Sequence, residues 1–353
     1  MKAIRWHARK DVRYEDVPDP LPGPGQVKAK IHYSGICGTD LHEYAAGPIL
    51  VQTSPHPVTG KMAPVILGHE FSGRVVALGE GVTKFKAGDR VTGDCFWTCG
   101  KCYYCTRNMP SLCVRLVATG YDVDGCFAEY LVAPEYTFYK LPDQVSDEIG
   151  ALTEPLEVAF HAVRRSKLQV GDTVCILGAG PIGCGVVLAV KVAGASRIVV
   201  VEPSKLRREA ALQMGATDVI NPADADLKKA LSGMINAPGV DFTFDCIGSR
   251  SSIASSVALV RKAGTAVIVG LFNEDSLVST AELVLQEKNI IGVSAYAHEA
   301  NFILDMIANG TFNPQKLITG KIALKDTVEK GFEELLNNKE GHLKILLESP
   351  NWS

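Results

Sequence analysis

Residues 173–183 read TVCILGAGPIG. The first five are apolar or β-branched and read as a buried strand. Gly178, Gly180 and Gly183 follow as G-x-G-x-x-G, and Pro181 opens a helix-like run, GVVLAVKVAGA. The next strand-like stretch, RIVVVE, ends at Glu202. A glycine triplet alone is a weak signal. A strand before it, a helix after it and an acid closing the following strand make a dinucleotide-binding fingerprint. The glycines let a pyrophosphate approach the backbone N–H groups at the helix N-terminus. Glu202 would accept from ribose hydroxyls and repel a 2′-phosphate, which favours NAD over NADP. Arg207 dilutes that preference, and Arg208 reads as a solvated helix residue.

Outward from this stretch the apolar runs alternate with helical ones. TVCILG, RIVVVE, TDVIN, VDFTFDCIG, TAVIVG and NIIGVSA are six strand candidates. SKLRREAALQMGA, ADLKKALSGMI and SIASSVALVRKAG read as helices between them. The pattern predicts an α/β fold, a doubly wound six-stranded parallel sheet with helices on both faces. The first 150 residues differ. QVKAKIHYSGI, FSGRVVALG, GDRVTGD and FAEYLVAP are short strands among glycines and prolines, a mostly-β pattern. After Ala297 the chain reads as helix, loop, short strand, helix and closing strand (LKILLE). The six-stranded sheet is by then complete, so this tail is expected to rejoin the first domain. The expected domains are 1–155 plus 297–353, and 156–296.

Composition excludes several classes. The chain has 353 residues, 46% hydrophobic and 21% charged, with a formal charge of −3. That balance gives no electrostatic case for nucleic acid or an anionic membrane. The most membrane-like window, 173–190, carries four glycines and a proline and is better read as strand, turn and helix. The N-terminus lacks the apolar run of a signal peptide, so a cytoplasmic location is expected. Ten cysteines in a reducing compartment point to metal rather than disulfides.

Four of them, Cys99, Cys102, Cys105 and Cys113, fall within fifteen residues of each other. Two-residue gaps let the thiolates turn inward on tight loops, and zinc suits four such ligands. An iron–sulfur cluster is the alternative. A site with four protein ligands has no open position and only holds its loop. Chemistry needs a second, open site. GICGTDLH supplies Cys37, LGHEFSG supplies His69 and Glu70, and ALTEPLEVAFHAV supplies Glu154. Glu154 also fits a helix N-terminal acid favoured by the dipole. Spacing alone leaves open whether these side chains converge.

GICGTDLH, GHEFSG, GDRV, CGKCYYC…C, EPLEVAFHAV and GAGPIG occur in that order along the chain. In this the sequence resembles the zinc-dependent medium-chain dehydrogenase/reductase family over essentially its full length. Within it, the chain is most similar to the polyol branch and to its (R,R)-2,3-butanediol dehydrogenases. The resemblance implies a GroES-like catalytic domain beside a Rossmann domain, and two zinc ions per chain with NAD(H) as cofactors. It implies that Cys37, His69 and Glu154 hold a catalytic zinc, with Glu70 a ligand or close neighbour. It implies that Asp40 orients His69, and that Thr39 and His42 relay the proton. Pro181, Ile182, Glu202 and Arg207 match cofactor contacts, as do Val269, Gly270 and Leu271 and the run Ser294, Ala295, Tyr296. A homodimer or homotetramer is implied too.

The implied reaction is reversible hydride transfer between NAD and a secondary alcohol or vicinal diol, 2,3-butanediol/acetoin foremost. Sorbitol, threonine or another secondary alcohol is the alternative substrate. A non-catalytic NAD(H)-binding module is the competing class, and it would have no reason to keep all three ligands. The sequence departs from sorbitol-type enzymes at Ala295, where they carry a polyol-binding arginine, and at Glu43, where they carry an aromatic residue. Both departures suit a shorter substrate. Cys95, Cys126, Cys175, Cys184 and Cys246 read as small buried residues.

Overall fold

The computed structural model describes residues 1–224, 226–271 and 275–352. The chain forms two compact units. The first comprises Met1–Glu154, Ala300–Gly310 and Ile318–Ser353, and the second Pro155–Glu299 and Thr311–Leu317. The expected tail, 297–353, is thus divided, since 297–299 and 311–317 belong with the second unit. Among the described residues no helix is long and apolar enough to cross a membrane.

The second unit is built on a six-stranded parallel sheet. Its order is Asp218–Ile220, Arg197–Val201, Thr173–Leu177, Val240–Asp245, Val260–Ile268 and Asn289–Gly292. The first strand in sequence therefore lies in the middle, and strand order reverses beside it. That reversal creates the crevice where doubly wound folds take their ligand. Cys175, Leu177, Val199, Val201, Val240 and Leu259 pack into one buried cluster of this sheet. The helix Pro181–Val192 starts directly after the glycine turn, with Gly180 at its N-cap. A Cβ on Gly183 would overlap the carbonyl oxygen of Gly178, so only glycine lets the helix lie this close to the strand end.

One expectation fails here. VRKAG was read as the end of a helix, yet the helix stops at Leu259 and a strand runs Val260–Ile268. Val260 pairs with Val240 across the sheet, and a register shift with a positive φ at Ala263 absorbs the extra residues.

In the first unit, a seven-stranded sheet runs Phe138–Lys140, Arg90–Gly93, Glu70–Leu78, Gln26–Gly35, Lys344–Glu348 and Ile318–Ala323, with Tyr130–Pro134 also paired to Gln26–Gly35. The long strand Gln26–Gly35 takes two partners on one edge. Its first half pairs with Tyr130–Pro134 and its last residues with Lys344–Glu348. A three-stranded sheet adds Lys2–Ala8, Asp11–Asp16 and Val65–Ile66. Trp6, Ile31, Leu67, Phe127 and Phe332 fill the core between them. The pairing of Lys344–Glu348 brings the end of the chain beside Gly35 and Glu70, and this positions the site.

Gly183→Ala should lower the melting temperature and weaken NADH binding together. The overpacking cost is about 1–3 kcal/mol, and differential scanning fluorimetry with and without NADH reads both effects.

Candidate active site and metal centres

Two strand ends and one helix start build the open site. Cys37 is the N-cap of the helix Gly38–Ala46. Its backbone N–H donates to Asp40 Oδ2 at 2.9 Å, and its sulfur accepts from the Asp40 N–H. His69 immediately precedes the strand Glu70–Leu78. The ligand atoms of Cys37, His69 and Glu70 all lie within 4.8 Å of one another. Gly35 faces Glu70 across the sheet, and a Cβ there would overlap the Glu70 carboxylate.

Burial dominates the electrostatics. Asp40 and Glu70 are fully buried, and His69 and Glu154 nearly so. Burial alone would lower His69, but the Asp40 and Cys37 charges outweigh it and hold the imidazole well above its usual 6.5. Burial also raises Asp40, against the pull of His69. Glu154 is pushed up to about 7 by burial, with His69 opposing and Glu70 reinforcing. Its carboxylate accepts from the Cys95 thiol at 3.7 Å. Glu154 lies outside the mutual 4.8 Å set of the other three.

Glu70 is matched by a residue that sequence reasoning missed. The Lys344 ammonium donates to both carboxylate oxygens at 2.7 Å and to the Ile36 carbonyl at 2.9 Å. Burial would lower Lys344, yet the Glu70 and Cys37 charges raise it, so it stays charged. The signal was present: a lysine inside the otherwise apolar strand KILL, with all four residues buried. Tyr121 was missed as well. Its hydroxyl lies 2.8 Å from Thr39 Oγ1 and 3.3 Å from both Asp40 Oδ1 and His69 Nδ1. Asp40 itself is 3.7 Å from His69 Nδ1, too far for a good hydrogen bond. Cys95 is buried, as expected, and its thiol faces Glu154. His42 is exposed, and partial desolvation with the Lys339 charge lowers its pKa. Glu43 is buried and takes the backbone N–H groups of Ile49 and Leu50, so it anchors the loop that follows its helix.

The second centre is the cysteine lobe. Cys99, Cys102, Cys105 and Cys113 bring their sulfurs within 4.8 Å of one another. The Cys102–Cys105 and Cys99–Cys105 separations are 3.5 and 4.0 Å. Tetrahedral bonds of about 2.3 Å put sulfurs about 3.8 Å apart, which fits zinc. Backbone amides of Cys105 and Val114 pull Cys102 down to about 6, and burial pushes Cys105 up to about 12. Cys113 accepts from the N–H groups of Cys99 and Arg115. Backbone amides thus already point at sulfur, as thiolate ligands need.

In the second unit, the fingerprint residues surround the start of one helix. Gly178 has φ +89°, and Gly180, Pro181, Ile182 and Gly183 make the cap and first turn. Glu202 is buried, with one oxygen accepting from Ala179 N–H at 2.8 Å and the other from Ser204 N–H at 2.9 Å. The Arg207 guanidinium comes within 4.0 Å of the Cβ position at Gly180, so it lies over the glycine turn. Arg208 is not merely solvated. It donates to the carbonyls of Glu202 and Pro203 and braces that corner. Val269 and Gly270 donate their N–H groups to the Asp245 carbonyl, and Leu271 is exposed. Ser294 is exposed, Ala295 has φ +48° and Tyr296 is buried.

Residues 23–143 match the alcohol dehydrogenase GroES-like domain, and residues 181–309 match the zinc-binding dehydrogenase domain. A (R,R)-butanediol dehydrogenase of Bacillus subtilis is 40% identical over 351 residues, 98% of this chain and 99% of the relative. The chain belongs to the zinc-binding alcohol dehydrogenase family. A sorbitol dehydrogenase of the same organism is 35% identical, covering 98% of this chain and 97% of that one. The crystal structure of the 2R,3R-butanediol dehydrogenase from Bacillus subtilis superimposes with a TM-score of 0.92 at 37% identity, covering 99% of both chains. The chain is therefore an oxidoreductase acting on CH–OH groups, with zinc and NAD(H) as its cofactors.

Metal analysis should find two zinc ions per chain. Cys105→Ser should leave one and lower the melting temperature, whereas Cys37→Ser should leave one with NADH binding intact. Lys344→Met strips the counter-ion from a buried carboxylate and should cost about 3–5 kcal/mol, read by denaturant unfolding; Lys344→Arg should recover part of the loss.

Proposed function

We propose that the enzyme interconverts a short vicinal diol and its hydroxyketone, 2,3-butanediol and acetoin foremost, with NAD as hydride acceptor. The observation that carries this reading is the convergence of Cys37, His69 and Glu70, with the Tyr121 hydroxyl linking His69 to the Thr39 hydroxyl. Likeness to butanediol dehydrogenases over nearly the whole chain supports the substrate. So does Ala295, a small residue at the position that we align with a polyol-binding arginine.

Cys37, His69 and Glu154 would hold the catalytic zinc. Glu70 is the acid within 4.8 Å of both other donors and keeps a lone pair on each oxygen beside its Lys344 hydrogen bonds, so it stands with Glu154 as an alternative third ligand. Bound there, zinc supplies Lewis acidity, which lowers the pKa of an alcohol. Thr39 accepts the hydroxyl proton, and His42, an exposed residue about one turn further along the same helix, delivers it to solvent. Bound to the second unit, the nicotinamide would accept the hydride, with its two electrons, from the carbinol carbon to leave the ketone. In the second unit, Gly178, Gly180, Pro181, Ile182 and Gly183 seat the pyrophosphate. Each oxygen of Glu202 keeps a lone pair for a ribose hydroxyl. Arg207, Val269, Gly270, Leu271, Ser294, Ala295 and Tyr296 complete the cofactor contacts.

A homo-oligomer fits the surface. Asn289–Gly292 ends the sheet, and Leu277, Val284 and Leu285 stand 75–92% exposed in the preceding segment. An open strand edge beside an apolar patch is matched by a second copy of the chain. A cytoplasmic setting agrees with the free thiols.

NADH formation followed at 340 nm (about the nicotinamide band) with each 2,3-butanediol stereoisomer and with sorbitol tests the reading. The highest kcat/KM should belong to a butanediol isomer, with sorbitol at least about tenfold lower. Equal or better turnover of sorbitol would overturn the substrate.

A further inference from the structure

We propose that Tyr121 is a positioning residue for proton transfer, its hydroxyl fixing the direction in which Thr39 can pass a proton. The inference rests on the role proposed for Thr39.

Tyr121 is held rigidly before its hydroxyl does anything. It follows the strand Val117–Ala118, and its N–H donates to the Ala118 carbonyl. Thr119 donates to the Cys95 carbonyl, and Gly120 to that of Val123, so the turn is pinned on both sides. Asp122 closes it by accepting from the Ala118 N–H at 2.8 Å. The ring is buried and stands 5.5 Å from the His69 imidazole, centroid to centroid, tilted by 44°.

The hydroxyl then meets three polar atoms. A phenol has a single proton to give. The shortest contact is to Thr39 Oγ1 at 2.8 Å, against 3.3 Å to Asp40 Oδ1. Thr39 is therefore the favoured acceptor. His69 turns Nδ1 toward the same phenol oxygen at 3.3 Å, which leaves Nε2 for a metal. With Nε2 ligating, Nδ1 carries the proton and donates. The polarity of the chain follows: His69 Nδ1–H to Tyr121, and Tyr121 O–H to Thr39.

A threonine hydroxyl has one proton and two lone pairs. Tyr121 fills one lone pair. One lone pair and one proton remain, so Thr39 can accept from a substrate hydroxyl only while donating its own proton onward. Without the phenol, both lone pairs are free and the rotor can also point its proton at the substrate oxygen, which blocks transfer. Atoms balance in the positioned state: one proton enters at Thr39 Oγ1 and one leaves it, and Tyr121 neither gains nor loses a proton.

The test is a double-mutant cycle of Tyr121→Phe and Thr39→Val, with Thr39→Ser as the conservative control. Tyr121→Phe keeps the ring. It should lower kcat about tenfold, the size of one lost hydrogen bond at a reacting group, with KM within about twofold. Its zinc content and NADH affinity should match the parent, and its solvent deuterium isotope effect on kcat should rise. Adding Tyr121→Phe to Thr39→Val should cost nothing further, because the phenol acts through Thr39. Thr39→Ser should retain dependence on Tyr121. Tyr121→Met fills similar space without a hydroxyl and repeats the test if the Phe variant melts early. An unimpaired Tyr121→Phe, a loss of zinc, or additive costs in the double variant would overturn the inference while leaving Thr39 in its role. A fully active Thr39→Val would remove Thr39 from the reaction and overturn both.

Discussion

The first unit is organised around charge that has been taken out of water. Asp40, Glu70, Glu154, His69 and Lys344 are all buried within one region, and an unmatched charge there would cost several kcal/mol. Each has a partner. Lys344 matches Glu70, Asp40 takes a backbone N–H from Cys37, and Glu154 takes the Cys95 thiol. Cys37, His69 and Glu70 place a sulfur, an imidazole nitrogen and a carboxylate within 4.8 Å of one another. A divalent cation is the natural complement of such a set, and the strand geometry already gathers its ligands.

The two metal centres illustrate opposite uses of one ion. In the cysteine lobe four sulfurs come from fifteen consecutive residues, so local turns suffice to gather them. No position is left for a substrate. In the open site the candidate donors Cys37, His69 and Glu70 are far apart in sequence, and pairing of Gly35 with Glu70 helps bring them together. Lys344 meanwhile supplies the buried counter-charge for Glu70 through both carboxylate oxygens.

Features carried by local chemistry were legible from sequence. The glycine turn, its strand and its helix stand where the spacing of Gly178, Gly180 and Gly183 predicts, and the six parallel strands appear in the order a doubly wound sheet requires. The cysteine lobe closes as its spacing implies. What escaped depends on distant pairing. Tyr121 sits in a loop with no motif, 82 residues from Thr39. VRKAG looked helical by propensity, but pairing of Val260 with Val240 overrides it. The strands Lys2–Ala8 and Asp11–Asp16 went unread because most of their residues are polar or exposed. Glu43 was weighed as a substrate-facing replacement, yet its carboxylate serves two backbone amides instead.

The reach of Lys344 has a consequence for biosynthesis. Glu70 leaves the ribosome 274 residues ahead of its counter-ion. The nucleotide-binding unit, encoded between them, can fold on its own contacts while translation is still under way. The catalytic unit cannot neutralise Glu70 until the strand Lys344–Glu348 has emerged and paired with Gln26–Gly35.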